Sequence, residues 1–364
     1  MTAASAIPIP SQVTARAATR ADLRIVDPTT EAGWDALLST HPRATFFHSA
    51  AWAQTLADAY GFPSRYIAAS NGGELRGLLP VIEARSWLRG TRGVSLPFTD
   101  ECPPLVSPKV NAQSLLEMAM QEGTSRGWKY LELRGGHEFF ENVPASTSYY
   151  GHRLSLSSRT DDVLDKCGSS VRGAIRKAER SGVTVRFGTD LESVGAYYRL
   201  HCHTRTKHGA PPQPFKFFQS LCDRALQTGH GFVALAVHDE QPIAGAVFLR
   251  FGRKAIYKFS ASDERYKELC GPSAVIWGAV RKLIEVGVDE LNFGNTSLSN
   301  EGLRKFKQRW GAEEYFVHHA RYCFDRGSFV KMGDLAAGAQ ARIFALLPVF
   351  LSRWIGRAAY PHMN

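Results

Sequence analysis

The chain has 364 residues, of which 44% are hydrophobic and 21% charged, so its composition is that of an ordinary globular protein with two domains. Its net charge of +10 favours an anionic partner such as RNA, acidic lipid or a phosphorylated substrate. No run of about twenty apolar residues is present, and this argues against a membrane span. The six cysteines are scattered without a Cys-x-x-Cys pair, which indicates a reduced cytoplasmic protein.

The first domain is predicted to begin near Leu23. Residues 1–22 are rich in Ala, Ser, Pro and Arg and lack the apolar stretch of a secretory signal, so they are predicted to be a disordered leader. A helix is expected from Ser49, its cap, to Gly61. The sequence Asn71-Gly72-Gly73 then predicts a hairpin between two strands. A helix over 112–126 leads to a further strand.

The second domain repeats this order of elements. Helices are predicted over 171–180 and 191–206, followed by another hairpin and a strand. Pro272 opens a helix that leads into the next strand. A Gly-x-x-x-Leu strand follows the helix in both halves, with the pattern at Gly127 to Leu131 and at Gly287 to Leu291. The pattern predicts two tandem copies of one mixed α/β domain, residues 23–160 and 161–325.

The segment 287–311 combines a strand, a polar loop and a short helix. The strand is expected to stop at Gly294, and Asn300 is expected to cap the helix. Helical spacing puts Leu303, Phe306 and Trp310 on one apolar face and Lys307 on its flank. A lysine at an apolar margin beside a polar loop could hold an anionic ligand. The alternative is a solvated basic helix with one snorkelling lysine.

Motifs for covalent catalysis are not found. The sequence has no Gly-x-Ser-x-Gly, P-loop, Gly-x-Gly-x-x-Gly or His-Glu-x-x-His pattern. Asp100 and Glu101, in a Pro-rich turn, are candidate general bases, although a loop carboxylate can equally be merely solvated. The histidines between 201 and 208 have no matching Cys/His cluster elsewhere, so no metal site is predicted.

A basic stripe is predicted on the helix over 171–180. Arg172, Arg176 and Arg180 are four residues apart, and Lys177 lies beside them. The stripe could bind phosphates, or it could be an ordinary exposed helix face.

The tail, residues 326–364, differs in character from the rest. Apolar side chains alternate there with Arg342, Arg353 and Arg357, and Pro348 interrupts the run. The tail is predicted to be an amphipathic segment that lies on an acidic membrane surface. A C-terminal helix packed on the core is the alternative.

Several motifs resemble those of the Fem-type transferases, the FemAB-like members of the GNAT superfamily. They are RGAIRKAERSGV from Arg172, Thr204 with His208-Gly209 and Pro211, and FGNTSLSNEGLRKFKQRWG from Phe293, together with FFHSAAW, GLLPV and SLPF in the first half. The resemblance covers roughly residues 23–325. It implies two GNAT-like domains with a cleft between them. It also implies transfer of an acyl or aminoacyl group to an amine by direct attack, without an acyl-enzyme.

The resemblance also implies roles for individual residues. Lys307 matches the lysine that assists transfer, and Asp100 or Glu101, or the substrate itself, would take the proton. Backbone groups of 291–294 and 257–260 would polarise the carbonyl group. The candidate substrate- and donor-binding residues are Arg172, Arg176, Lys177, Thr204, His208, Tyr257, Ser260, Asn295, Thr296 and Phe306.

The donor is expected to be acyl-CoA, with aminoacyl-tRNA as the alternative, because the helical-hairpin insertion of some tRNA-using members is missing. The Gly-rich loop with which ordinary GNAT enzymes hold CoA is also not visible before Pro272. The sequence therefore predicts a cytoplasmic N-acyltransferase, peripheral at the inner face of the membrane, without a permanently bound cofactor. Its acceptor would be an amine-bearing envelope or lipid precursor, and DNA is not expected as a partner. A non-catalytic module that binds an anionic glycolipid or RNA is the other hypothesis.

Overall fold

The computed structural model describes residues 23–331, except 88, 109 and 141, and residues 360–362. The predicted leader and most of the predicted tail lie outside this part. Within it, no helix is both long enough and apolar enough to cross a membrane.

The N-terminal half is an α/β unit. Its helices are α1 (Trp34–Ser39), α2 (Ala50–Tyr60) and α3 (Ala112–Ser125). Its strands are β1 (Leu23–Val26), β2 (Tyr66–Asn71), β3 (Glu74–Leu79), β4 (Ile82–Ser86), β5 (Gly90–Ser95), β6 (Leu105–Val106), β7 (Tyr130–Arg134) and β8 (Thr147–Ser155).

The C-terminal half has the same kind of elements. Its helices are α4 (Thr160–Lys166), α5 (Ser169–Arg180), α6 (Leu191–Lys207), α7 (Phe215–Leu221), α8 (Gly271–Glu285) and α9 (Glu301–Gln308). Its strands are β9 (Thr184–Gly188), β10 (Gly231–His238), β11 (Gln241–Phe251), β12 (Lys254–Ser262), β13 (Glu290–Ser297), β14 (Glu313–Cys323) and β15 (Ser328–Phe329).

Local signals explain the element ends that the sequence predicted. The Ser49 side chain accepts a hydrogen bond from the Trp52 amide at the start of α2, and Gly61 ends that helix in the left-handed conformation. The hairpin around 71–73 forms between β2 and β3, and Pro272 lies in the first turn of α8.

One continuous sheet joins the two halves. Its strand order is β4-β5-β7-β14-β8-β13-β12-β11-β10-β9, with β15 paired to β14, while β1, β2, β3 and β6 form a separate sheet. Each half contributes an antiparallel hairpin and one parallel pair, which is β5 with β7 in the first half and β12 with β13 in the second. The predicted repeat of element order is therefore present in the sheet.

The two halves exchange their last strands. β8 leaves the N-terminal half to pair with β13, and β14 crosses back to pair with β7. The two exchanged strands also pair with each other. A division at residue 160 stays a prediction about domains, but in this sheet each half is completed by a strand of the other.

Helix packing also ties the halves together. Trp52 of α2 and Phe217 of α7 are fully buried, with ring centroids 5.9 Å apart in an edge-on contact. Both belong to a large apolar core that contains residues of both halves. Burial of such large aromatic surfaces favours a fixed arrangement of the two halves.

Two details of the predicted segment 287–311 were wrong. Strand β13 does not stop at Gly294 but continues to Ser297, because Gly294 makes a bulge with φ +70° and pairing to β8 resumes at Asn295. In α9 the side chain of Lys307 is buried whereas Leu303 is exposed. Two hydrogen bonds from Lys307 Nζ to the backbone of β13 offset the cost of burying the charge.

Candidate active site

The site forms where the parallel strands β12 and β13 separate. They pair over 254–256 and 290–292. Beyond these residues each strand is irregular, with Phe259 at φ +54° in β12 and Gly294 at φ +70° in β13. No further pairing between the two strands occurs among the described residues. A gap lined by backbone groups therefore opens between them.

A loop of the N-terminal half lies on this gap. Asp100 Oδ2 accepts a hydrogen bond from Lys258 Nζ of β12 at 2.7 Å. The backbone oxygen of Asp100 accepts bonds from Asn295 Nδ2 at 2.6 Å and from His319 Nε2 at 3.0 Å. A methyl group at Gly294 would lie 2.8 Å from Asp100 Oδ2, so glycine is what permits this approach. Strands β12, β13 and β14 thus all hold the Asp100 loop.

Asp100 is a carboxylate held in its charged form. Burial alone would raise its pKa, but the positive charges of Lys258 and Lys307 outweigh that effect and the pKa is lowered. A carboxylate stabilised in this way is a weak base. Its charge can instead balance the two lysines.

Lys307 is turned inward from α9. Its Nζ donates to the backbone oxygens of Gly294 at 2.9 Å and Asn295 at 3.0 Å, so it fixes the bulge of β13. Burial lowers its pKa to about 8; Asp100 opposes this shift and Lys258 adds to it. At neutral pH the ammonium form predominates, but the proton is held much less tightly than on an exposed lysine.

Glu101 lies beside Asp100 in a separate network. Its Oε1 accepts hydrogen bonds from Tyr315 Oη and from Asn292 Nδ2, the latter at 2.8 Å, and lies 3.5 Å from Arg153 Nη2. The Arg153 guanidinium stacks 4.0 Å from the centre of the Tyr315 ring. Burial, reinforced by the charge of Glu101, raises the pKa of Tyr315, so the phenol stays protonated and donates. Because Arg153 and Tyr315 come from the exchanged strands, the exchange is what builds this network.

Two adjoining cavities open onto these residues. The smaller, of about 70 Å³, is lined by both carboxylates together with Lys254 and Glu290. The larger, of about 220 Å³, shares Arg43, Glu101 and Arg153 with it. Acidic and basic side chains therefore face the same space.

A third cavity, of about 350 Å³, lies at the far end of β12 and is lined by Thr204 and His208. Thr204 Oγ1 accepts a bond from the Ser262 amide at 3.1 Å and so joins α6 to β12. Ser262 is four residues along β12 from Lys258, which binds Asp100, and this is roughly 13 Å at the rise of an extended strand. The two predicted residues are therefore separate from the Asp100 loop.

The other predicted residues are dispersed. Asn295 lies in the site, whereas Thr296 is buried next to it and Phe306 packs against the core. Tyr257 and Ser260 lie on β12 at the gap, where burial raises the pKa of Tyr257 to about 12. Arg172, Arg176 and Lys177 lie on the outer part of α5 and line none of the three cavities; Lys177 pairs with Glu268 at 3.3 Å. Within the described residues, no group of three or more His, Cys, Asp or Glu could hold a metal ion.

The sequence prediction missed five residues of the site: Arg153, Lys258, Asn292, Tyr315 and His319. Lys258 carried a signal, since it is the one charged residue in the stretch from Ala255 to Ser262. Arg153 and Tyr315 carried none, because their meeting depends on the strand exchange.

Comparison with known proteins identifies the fold. Residues 165–316 match the acetyltransferase (GNAT) domain family. The structure of FemX has 14% identity and a TM-score of 0.65, with 84% of this chain and 98% of FemX covered. The C-terminal domain of a putative lysylphosphatidylglycerol synthetase from Agrobacterium fabrum has 12% identity and a TM-score of 0.53, with 80% and 90% covered. A tandem GNAT protein from the clavulanic acid biosynthesis pathway has 12% identity and a TM-score of 0.50, with 83% and 98% covered. No curated protein matches the chain.

These findings show a tandem GNAT-like fold, as the sequence predicted. The match to the GNAT acetyltransferase domain lies in the C-terminal half of the chain.

Proposed function

We propose that the protein is an N-acyltransferase that moves an acyl group from a thioester donor, acyl-CoA, to the amine of a cell-envelope or lipid precursor. One observation carries this proposal. The loop with Asp100 and Glu101 lies where β12 and β13 separate, with Lys258 bonded to Asp100 and the charge of Lys307 close to both. Carboxylates that can bind an amine therefore lie close to cations that can stabilise developing negative charge.

The reaction needs no covalent enzyme intermediate. The neutral amine attacks the thioester carbonyl carbon, a C–N bond forms, and the C–S bond breaks as the thiolate leaves. One proton is lost from the amine nitrogen and one is gained by the thiolate. Lys258 and Lys307 would stabilise the oxyanion and the departing sulfur.

The two carboxylates would have different roles. Asp100 is tied to Lys258 and has a lowered pKa, so it would hold the lysines in place. Glu101 faces both cavities and would bind the acceptor ammonium and accept its proton. Glu101→Gln should therefore raise KM for the amine as well as lower kcat, whereas Asp100→Asn should lower kcat mainly. The reverse pattern would exchange the roles.

Features around α8 support a thioester donor. The cavity lined by Thr204 and His208 is also lined by Lys207 and Arg265, which pair with Glu264 and Asp263 of the same lining. The loop after it leads into the N-terminus of α8. Helix N-termini favour phosphate groups. A donor with phosphates in this cavity and its thioester at Asp100 would lie along the gap between β12 and β13.

The charges of the smaller cavities support an amine acceptor that also carries an anionic group. Glu101 and Glu290 suit the amine, while Arg153 and Lys254 suit a phosphate or carboxylate of the same molecule. Resemblance in fold to a domain named for lysylphosphatidylglycerol supports a lipid precursor as the acceptor. A net charge of +10 supports work at an acidic membrane surface from the cytoplasmic side.

The test supplies purified full-length protein with labelled acyl-CoA or charged tRNA, each with a bacterial lipid extract. Acyl-CoA consumption with label in an amide product is expected, and a Lys307→Met protein should give almost none. Label transferred from tRNA alone would identify an aminoacyl donor instead. If neither donor is consumed with any acceptor, the protein is a binding module rather than a transferase.

A further inference from the structure

Arg92 of β5 is fully buried, yet none of its three side-chain nitrogens has a hydrogen-bond partner among the described residues. An arginine cannot escape this situation by losing its proton, because its pKa lies far above neutrality. A buried charge without a partner is strongly destabilising, so native proteins pair such groups. The position therefore calls for an anion.

The surroundings of Arg92 are cationic. The charged and phenolic groups that act most strongly on its pKa are Tyr130, Arg89, Glu132 and Arg321. The carboxylate of Glu132 is already engaged by Arg321 and by Arg134, the latter at 2.9 Å. Positive charge thus exceeds negative charge around this guanidinium.

The repeat places this cluster at the counterpart of the candidate active site. Alignment of Leu131 with Leu291 through the two parallel strand pairs makes Arg92 the counterpart of Lys254. In the same alignment Glu132 corresponds to Asn292, and their partners on the exchanged strands are Arg321 and Arg153. Both halves therefore hold two basic side chains at the same two positions of the sheet.

The two clusters differ in one residue type. Glu290, which lines the active-site cavity, corresponds to Tyr130 in the N-terminal half. The Arg321 guanidinium stacks 4.3 Å from the centre of the Tyr130 ring. Loss of a carboxylate makes the N-terminal position more favourable for an anion than its counterpart.

We propose that the N-terminal half contains an anion-binding site for a phosphate group, formed by Arg92 and Arg321 beside Tyr130. Guanidinium groups bind phosphate oxygens through paired, charge-assisted hydrogen bonds. The site is distinct from the gap between β12 and β13, and it does not depend on the identity of the acyl donor.

The site is connected to the Asp100 loop. Arg134, which shares Glu132 with Arg321, donates from Nη1 to the backbone oxygens of Leu96 at 3.2 Å and Thr99 at 3.1 Å. A bound phosphate that draws Arg321 away from Glu132 would strengthen the hold of Glu132 on Arg134. Occupancy should therefore stabilise the loop that carries Asp100.

The experiment measures the melting temperature of full-length protein against inorganic phosphate, with sodium chloride at equal ionic strength as reference. Phosphate should raise the melting temperature in a saturable way by several degrees, because a ligand of the native state stabilises it. Arg92→Met should abolish this rise and, without phosphate, should melt at or above the wild-type temperature since the unpaired charge is gone. Arg159→Met, at an exposed arginine, controls for the loss of one positive charge and should keep the full response.

Each contrary result is decisive. A wild-type response no larger than that to chloride, or a full response in Arg92→Met, would overturn the proposal. A large drop in melting temperature in Arg92→Met without phosphate would show that the protein itself neutralises Arg92. If Arg92→Met does not fold, Arg92→Lys is used instead. This variant keeps the positive charge but lacks the forked guanidinium group, so it should bind phosphate at least tenfold more weakly. An unchanged affinity would contradict the proposal.

The source of the phosphate is settled by two further ligands. Glycerol phosphate and CoA are titrated separately into wild type and Arg92→Met. A CoA response that needs Arg92 would assign the site to the donor, and a glycerol phosphate response that needs it would assign the site to a phospholipid headgroup. A response to inorganic phosphate alone indicates a site for the free ion. All three readouts are independent of acyl transfer.

Discussion

Two lysines on the same short helix have opposite environments. In α9 the Nζ of Lys307 is buried against the backbone of β13, whereas Lys305 is exposed and pairs with Glu301 at 3.0 Å. An exposed pair within one helix contributes little to stability. Lys307, in contrast, fixes the bulge at Gly294 and places its charge near Asp100 and Lys258. The helix therefore provides a matched pair of substitutions.

Lys307→Met should reduce kcat by roughly two to three orders of magnitude, the usual effect of removing one group that stabilises transition-state charge. Lys305→Met should leave kcat within about twofold of wild type. Steady-state kinetics on both proteins, with circular dichroism to confirm folding, is the measurement. Equal losses in the two variants would mean that α9 acts only as a basic surface.

The lowered pKa of Lys307 also predicts a pH dependence of stability. Its pKa is about 8 in the fold and 10.5 in the unfolded chain, so between these values the unfolded chain binds more protons. The free energy of unfolding must then rise with pH over this window, by ~3 kcal/mol in total for one group with such a shift. Urea unfolding of wild type and Lys307→Met from pH 7 to pH 10 should show this rise as a growing difference in free energy of unfolding between the two proteins. Parallel curves would contradict the lowered pKa.

At the scale of elements, the bulge of β13 brings the halves of the site together. Gly294 has φ +70° and leaves space for Asp100, which a Cβ would approach to 2.8 Å. Gly252, in the turn between β11 and β12, has φ +56° but nothing within 4 Å of the position of its Cβ. Substitutions at the two glycines therefore distinguish the effect of backbone strain from the effect of contact with the Asp100 loop.

Gly294→Ala should lower stability by more than the ~1–2 kcal/mol of a left-handed non-glycine residue and should also reduce kcat at least tenfold, since the loop must move. Gly252→Ala should show the strain cost alone, with normal kcat. Both quantities are measured by urea unfolding and initial rates. Normal activity in Gly294→Ala would show that the position of Asp100 is not critical.

The order of the elements could be predicted from the sequence because it depends on local signals. Ser49 and Gly61 set the ends of α2, and the glycines at 72 and 73 set a hairpin. The partners of a strand are not encoded locally, so the exchange of β8 and β14 could not be seen. Asp100, Glu101 and Lys307 could be predicted as site residues because they lie in a recognisable loop or motif. Arg153 and Tyr315 could not, because they lie on the exchanged strands. Gly294 was recognised as an interruption, but periodicity alone does not separate a bulge from a strand end.

At the scale of the whole molecule, the end of the chain returns to the junction of the halves. Tyr360 is buried; its Oη accepts a bond from Arg205 Nη2 at 3.2 Å, and its ring lies 5.5 Å from that of Phe98. The ring of His362 contacts Ser86 Oγ at 3.0 Å through Nδ1. Arg205 belongs to α6 and Ser86 to β4, so these residues link the two halves. Residues 332–359 and 363–364 of the predicted tail lie outside the described residues, so membrane binding by the tail stays a prediction.

The last prediction separates the two hypotheses for the tail. Deletion after Ala341 should leave the sheet folded but should lower its melting temperature, because Phe98 loses its contact and Arg205 loses a partner. Tyr360→Ala removes the same contacts alone and should cost about 3 kcal/mol, as expected for loss of a buried aromatic side chain. Phe316→Ala, at an aromatic residue that is 61% exposed, is the control and should change stability little.

Sedimentation with acidic vesicles should fall in the truncated protein but not in Tyr360→Ala, and should be stronger at low salt. Equal vesicle binding by wild type and the three variants would exclude the tail as a membrane anchor. An unchanged melting temperature in Tyr360→Ala would show that the contacts of Tyr360 do not stabilise the junction of the halves.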